Sequence, residues 1–272
     1  MDIRIGFKMT FVTPGPTPIL LLLYVHPEEA GDLHHPQRLE ISTQSGREIP
    51  LEHYTDSFGN PAARITAPEG QLTLSYDNVI TRPDYVEPVF ANARQHMVEE
   101  LPLDTLPYLL PSRYCESDRL GDKAWELFGN VQPGWPRVQA INDWVHNHIE
   151  FGYHHARPTM SAYDVFESGK GVCRDYMHLA IAFCRCLNIP ARYATGYLGD
   201  IRVPVIPGPM DFSAYYEVYL DGRWHPFDAR HNQRRFGRTL MARGRDAADT
   251  ALTTSFNPMY IEEFSVWTDE VG

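Results

Sequence analysis

Leu179-Ala180-Ile181-Ala182-Phe183-Cys184 is apolar on every face of a helix. A helix with no polar stripe has no solvent side, so other elements must wrap it, and it becomes the central strut of its domain. The run is led in by Gly169-Lys170-Gly171-Val172-Cys173-Arg174-Asp175, in which two glycines allow a sharp backbone turn and place Cys173 in the first helical turn. Free amide groups and the positive end of the dipole favour a thiolate there, and the same amides can hold an oxyanion. The plain alternative is a small buried cysteine, which most free cysteines are. Cys184 and Cys186 lie mid-helix and are expected to pack.

The remainder of the chain narrows the setting. It has 272 residues, 24 Lys+Arg against 35 Asp+Glu and a formal charge of −11, with no basic run, which excludes nucleic acid and anionic membrane as partners. The apolar run Ile19–Val25 is too short to span a bilayer, lacks a small-residue cleavage site and is followed by His26-Pro27-Glu28-Glu29, so a cytoplasmic protein is expected. Cys115, Cys173, Cys184 and Cys186 form no CxxC pair and no disulfide framework.

Residues 1–95 are expected to form an antiparallel β-sandwich. Arg38–Ser42 and Gln71–Tyr76 alternate polar and apolar, and Pro14-Gly15-Pro16, Ser45-Gly46 and Pro68-Glu69-Gly70 supply turns. Prolines 83, 88, 102, 107 and 111 mark a connector. Helical spacing then sets in. One helix starts near Ser117-Asp118 and ends at Gly129-Asn130, a second starts at Pro136, and Ser161-Ala162-Tyr163-Asp164 reads as a capping box for a third that ends at Ser168-Gly169. Residues 96–272 form the second expected domain, and the fold class is α+β.

His146, His148, His154 and His155 raise a metal reading. Residues two apart on a helix diverge by about 200°, however, so the cluster does not converge as a zinc site must. No metal and no cofactor is expected.

Gly171-Val172-Cys173-Arg174-Asp175, His178-Leu179-Ala180, Leu187–Tyr193, Glu217–Trp224 and Pro226-Phe227-Asp228-Ala229-Arg230 together resemble the transglutaminase-like superfamily, and the tail Ala242–Asp249 is similar to its bacterial branch. The resemblance implies a papain-like core with a central helix on an antiparallel sheet. It also implies a Cys-His-Asp triad acting on peptide or protein amides, with Cys173 as nucleophile and Asp228 orienting the base.

The family's Asp-Phe-His-Ala-Trp run reads Asp211-Phe212-Ser213-Ala214-Tyr215 here, so Ser213 occupies the histidine position. A hydroxyl does not take a thiol proton near neutral pH. The Asp221-Gly222 hairpin pairs Leu220 with Arg223, which places Tyr215 opposite Asp228 and Ser213 opposite Arg230, and turns His225 to the other face. His231 has the wrong parity unless the strand ends and the chain bends. His178 lies about 140° around the helix from Cys173. No histidine is thus expected within hydrogen-bond reach of the sulfur, and Arg174, Asp175 and Arg192 are expected to brace the helix start. Two functions follow from this reading: a thiol-dependent hydrolase or acyltransferase impaired by Ser213, or an inactive binding or scaffold protein that keeps the cleft.

Overall fold

The computed structural model describes residues 1–205 and 208–272. The first six strands are β1 (Asp2–Thr13), β2 (Thr17–Leu21), β3 (Glu40–Thr43), β4 (Glu52–Thr55), β5 (Pro61–Ala67) and β6 (Gly70–Thr81). In β6 the side chains of Leu72, Leu74, Tyr76 and Ile80 are buried while their neighbours are more exposed, the period-2 pattern expected from Gln71–Tyr76 carried five residues further. The proline-rich stretch that follows forms only two short 3₁₀ turns, Val98–Glu100 and Leu103–Leu109.

Four helices and two short strands come next: α1 (Ser117–Phe128), α2 (Trp135–His148), β7 (Glu150–Phe151), α3 (Ala162–Ser168), β8 (Lys170–Gly171) and α4 (Cys173–Cys186). The capping box of α3 forms as the sequence predicts, with Ser161 accepting from the Asp164 amide and Gly169 closing the helix at φ 61°. Strands β9 (Ala191–Tyr197), β10 (Ser213–Leu220), β11 (Arg223–Phe227), β12 (Thr239–Gly244), β13 (Thr253–Ser255) and β14 (Tyr260–Glu270) complete the chain.

Helix α4 packs across β9 and β10 of an antiparallel sheet ordered β11-β10-β9-β12, with α1, α2 and α3 around its remaining faces. Every residue from Leu179 to Cys184 is fully buried, so the all-apolar run is the centre of the core. Arg185, at the last turn, is also buried. Its guanidinium donates to the carbonyls of Leu110, Ala191 and Arg245 and to Ser112 Oγ, acceptors that offset the cost of burying the charge.

The sandwich consists of sheets β14-β1-β6-β3 and β13-β2-β5-β4. Two of its four edge strands, β13 and β14, come from the C-terminal end of the sequence, which the sequence reading placed in the second domain. Ile3 pairs with Glu270 and Val12 with Tyr260 at the ends of the β1–β14 ladder, and Thr253 pairs with Leu21. Alternating strands identify a ladder only locally, and nothing in residues 253–270 names the partner strand. The two units also share apolar contacts: Tyr197, Ile201, Phe212 and Met241 are buried with Ile3, Phe7 and Val266.

Gly6 sits at the middle of β1, under the indole of Trp267 from β14. A Cβ there would overlap the Tyr76 carbonyl and the Trp267 ring, and Trp267 is held in place by donating Nε1–H to Asp77 Oδ1 at 2.9 Å. Gly6→Ala is expected to lower unfolding stability by about 1–3 kcal/mol, as overpacking does, with urea denaturation as the measurement.

Candidate functional site

Cys173 is the first residue of α4, as the glycine-led approach predicts. Gly171 is required there because a Cβ would lie 2.7 Å from Asp175 Cβ. Asp175 Oδ2 accepts the Val172 amide at 2.9 Å, and its Oδ1 takes Nε and Nη2 of Arg174, both at 3.2 Å. This pair braces the helix start. Arg192 does not take part; it binds Glu217 at 2.6 Å and stacks on Trp224, because β9 carries it to the far end of the sheet from the cysteine.

The second half of the site is a turn. The β10–β11 ladder stops at Tyr216–Phe227, so the expected Tyr215–Asp228 and Ser213–Arg230 pairings do not form, and Ser213 pairs with Gly196 of β9. Beyond Phe227 the chain folds back, with the Asn232 amide donating to the Asp228 carbonyl at 2.8 Å. Strand parity no longer governs His231, and its ring turns back to donate Nδ1–H to Asp228 Oδ2 at 2.8 Å. Asp228 Oδ1 accepts the amides of Arg230 (3.1 Å) and His231 (3.0 Å), and Arg238 Nη2 lies 3.4 Å from Oδ2. Burial works against the Asp228 charge, but the hydrogen bond from the His231 ring and the charge of Arg238 outweigh it and hold the carboxyl well below the usual carboxylate range.

Helix α2 clamps this turn. Asn142 Nδ2 donates to Asn232 Oδ1 at 2.7 Å, Asn232 Nδ2 donates to Asp143 Oδ1 at 3.0 Å, and His146 Nδ1 donates to the Arg230 carbonyl at 2.9 Å. Asn232 adopts φ 50°, a left-handed conformation that asparagine tolerates. These supporting residues were missed in the sequence. The available signal was Asp228 and Asn232, two turn-favouring residues four apart just where the strand had been extended.

Cys173, Ser213 and His231 line one cleft of about 430 Å³, with Asp211, Arg230 and Phe151 beside them. Asp228 lies behind His231. Cys173 is half-buried, and burial, with Asp211 and Asp228 adding to it, pushes its thiol up to about 11 against the opposing pull of Arg230 and the Arg174 amide. Among the described residues no hydrogen bond joins a histidine to the sulfur, yet His231 faces the same cavity.

Three further histidines have structural partners. His178 is buried, stacks on Tyr114 and accepts the Ala247 amide through Nε2 at 3.1 Å. His225 points to the other face of its strand, against Phe90 and Trp135. His148 donates Nε2–H to the Phe166 carbonyl at 2.8 Å. Among the described residues no cluster is arranged to hold a metal ion, and no helix is long and apolar enough to cross a membrane.

A cysteine opening the helix that crosses an antiparallel sheet, with a buried aspartate at the end of a neighbouring strand, defines a papain-like thiol fold. Residues 123–229 match the transglutaminase-like superfamily, a stretch that includes Cys173 and Asp228 and stops two residues short of His231. A crystal structure named a putative cysteine protease, from Cytophaga hutchinsonii, is 31% identical and superposes with a TM-score of 0.83 over 98% of this chain and 90% of that one. The chain belongs to the transglutaminase-like superfamily. It is also 24% identical over 179 residues to the uncharacterized protein ML0607 of Mycobacterium leprae, which is 63% of each chain. Kyphoscoliosis peptidase of Mus musculus is 29% identical over 119 residues; that match covers 40% of this chain and 18% of the mouse protein.

Asp228→Asn removes a buried charge shared by His231 and Arg238, and a loss of about 3–5 kcal/mol is expected at pH 7. Because the folded carboxyl is held below its unfolded value near 3.9, its stabilisation is present above that pH and fades as pH falls toward the folded value. The difference between the two proteins in denaturation is therefore expected to begin shrinking only below about pH 4 and to vanish as pH nears the folded value.

Proposed function

We propose that the protein is a thiol-dependent amide hydrolase acting on peptides or proteins, in which His231 performs the proton transfers that the family's sequence pattern assigns to the position of Ser213. The observation that carries this reading is the 2.8 Å Nδ1–Oδ2 bond between His231 and Asp228, with His231 lining the cleft that contains Cys173. The bond fixes the tautomer: with Nδ1 protonated, Nε2 carries the lone pair of a general base.

In the resting site the sulfur keeps its proton, since the helix dipole supplies only about 0.3–1 kcal/mol toward ionisation. His231 Nε2 accepts that proton as Sγ attacks the substrate carbonyl, and the amides at the start of α4 receive the developing oxyanion. The imidazolium returns the proton to the leaving amine, and water then cleaves the thioester with His231 again as base. An amine in place of water gives acyl transfer. A cytoplasmic setting with reduced thiols suits this chemistry.

The second reading is a binding or scaffold protein that keeps the cleft after losing catalysis. Ser213 in the histidine position and the raised thiol favour it. Alkylation of Cys173 by iodoacetamide at pH 7.5 separates the two without requiring the substrate. Wild type and Ser213→Ala are expected to react at least about 10-fold faster than His231→Gln, within the range a general base supplies, with Cys173→Ala as the blank. Equal rates in wild type and His231→Gln would overturn the proposal and favour the binding reading.

A further inference from the structure

The turn that carries His231 also brings Arg230 to the cleft. Its backbone is fixed on both sides, the amide donating to Asp228 Oδ1 at 3.1 Å and the carbonyl accepting from His146 Nδ1 at 2.9 Å. The guanidinium lies 4.0 Å over the ring of Phe151, which lines the same cleft as Cys173. The side chain is partly exposed, and its nitrogens are reached by solvent. Of the charges that pull the Cys173 thiol toward ionisation, that of Arg230 acts most strongly, which sets it near the sulfur.

The other two arginines of the wall are committed, Arg202 to Glu270 at 2.7 Å and Arg235 to Asp200 at 2.8 Å. Arg230 is not: among the described residues its guanidinium forms no ion pair and no hydrogen bond. Asp211 shares the cleft but stands beyond ion-pair distance from Arg230, and its Oδ1 accepts the Phe212 amide at 2.7 Å. The Asp228 charge is taken up by His231 and Arg238. One cation beside the nucleophile is therefore left without a counter-charge. A guanidinium resting over an aromatic ring keeps its N–H edge free, and two parallel N–H groups match the two oxygens of a carboxylate. A neutral carbonyl would use one of them and leave the charge unbalanced. We propose that Arg230 binds a carboxylate of the substrate beside the carbonyl attacked by Cys173, so that the protein selects peptides with a negative charge next to the bond it cleaves. The proposal rests on the peptidase reading above.

Iodoacetate and iodoacetamide share a leaving group and differ by a carboxylate, so the ratio of their rates at Cys173 reports local charge and cancels changes in the thiol itself. Arg230→Gln is expected to lower the iodoacetate-to-iodoacetamide ratio about 3–10-fold, the range for one unit charge about 5–7 Å away in a partly solvated site. Arg230→Lys, which keeps the charge, is expected to retain most of the ratio. Two peptides then separate the sources of the carboxylate: acetyl-alanyl-alanine carries it at the C-terminus, and acetyl-alanyl-glutamic acid α-amide on a side chain. Each is compared with neutral acetyl-alanyl-alanine amide as a protectant of Cys173 against iodoacetamide. At least one charged peptide is expected to protect better than the neutral one in wild type and to lose that advantage in Arg230→Gln. An unchanged ratio in Arg230→Gln, or one as low in Arg230→Lys, would overturn the proposal. So would charged peptides that protect no better than the neutral one, or an advantage that survives Arg230→Gln. Failure of the peptidase reading shows separately, as iodoacetamide rates that do not depend on His231.

Discussion

The carboxylate of Asp228 is the point on which the site turns. It is buried, accepts two backbone amides and the His231 ring, and faces the guanidinium of Arg238. A carboxylate with that many donors needs the chain to fold sharply around it, and the turn at residues 228–232 is the result. The turn in its turn fixes where His231 stands relative to α4. Removing the charge would therefore disturb the local fold and the placement of the histidine together. A catalytic aspartate that only oriented an imidazole would not couple them.

Two arrangements of hydrogen bonds hold the halves of the site in register. At the helix start, Asp175 caps the Val172 amide and binds Arg174, so the backbone leading to Cys173 has little freedom. At the turn, α2 contributes Asn142, Asp143 and His146. The same helix packs on α4, so the cysteine and the turn are referenced to one rigid body. Placing reacting groups on elements joined in this way is how a site limits the misalignment that costs rate.

Much of this was legible in the sequence, and the reasons are specific. The apolar belt of Leu179–Cys184 named the central helix because no other environment suits it. The two glycines before Cys173 named its position, and the Ser161–Asp164 box named the start of α3. The sandwich strands were found by alternation, but their assembly was not, because β13 and β14 carry no mark of the strands they join. The expected Tyr215–Asp228 and Ser213–Arg230 pairings failed in a related way. Parity along a strand was extended past Phe227, although a bend at His231 was left open, while Asp228 already had a stronger demand to satisfy. Local patterns predict local structure well until a buried charge requires otherwise.

Of the strands described, β14 is the last to be made, yet it pairs with the first. During synthesis β1 therefore waits with one edge unpaired while the intervening residues emerge, and the end of the cleft formed by Thr268 is absent until the C-terminal strand arrives. Contacts so distant in sequence form slowly. This order of assembly means that the central helix and the Cys173 thiol can be in place before the cleft has its final wall.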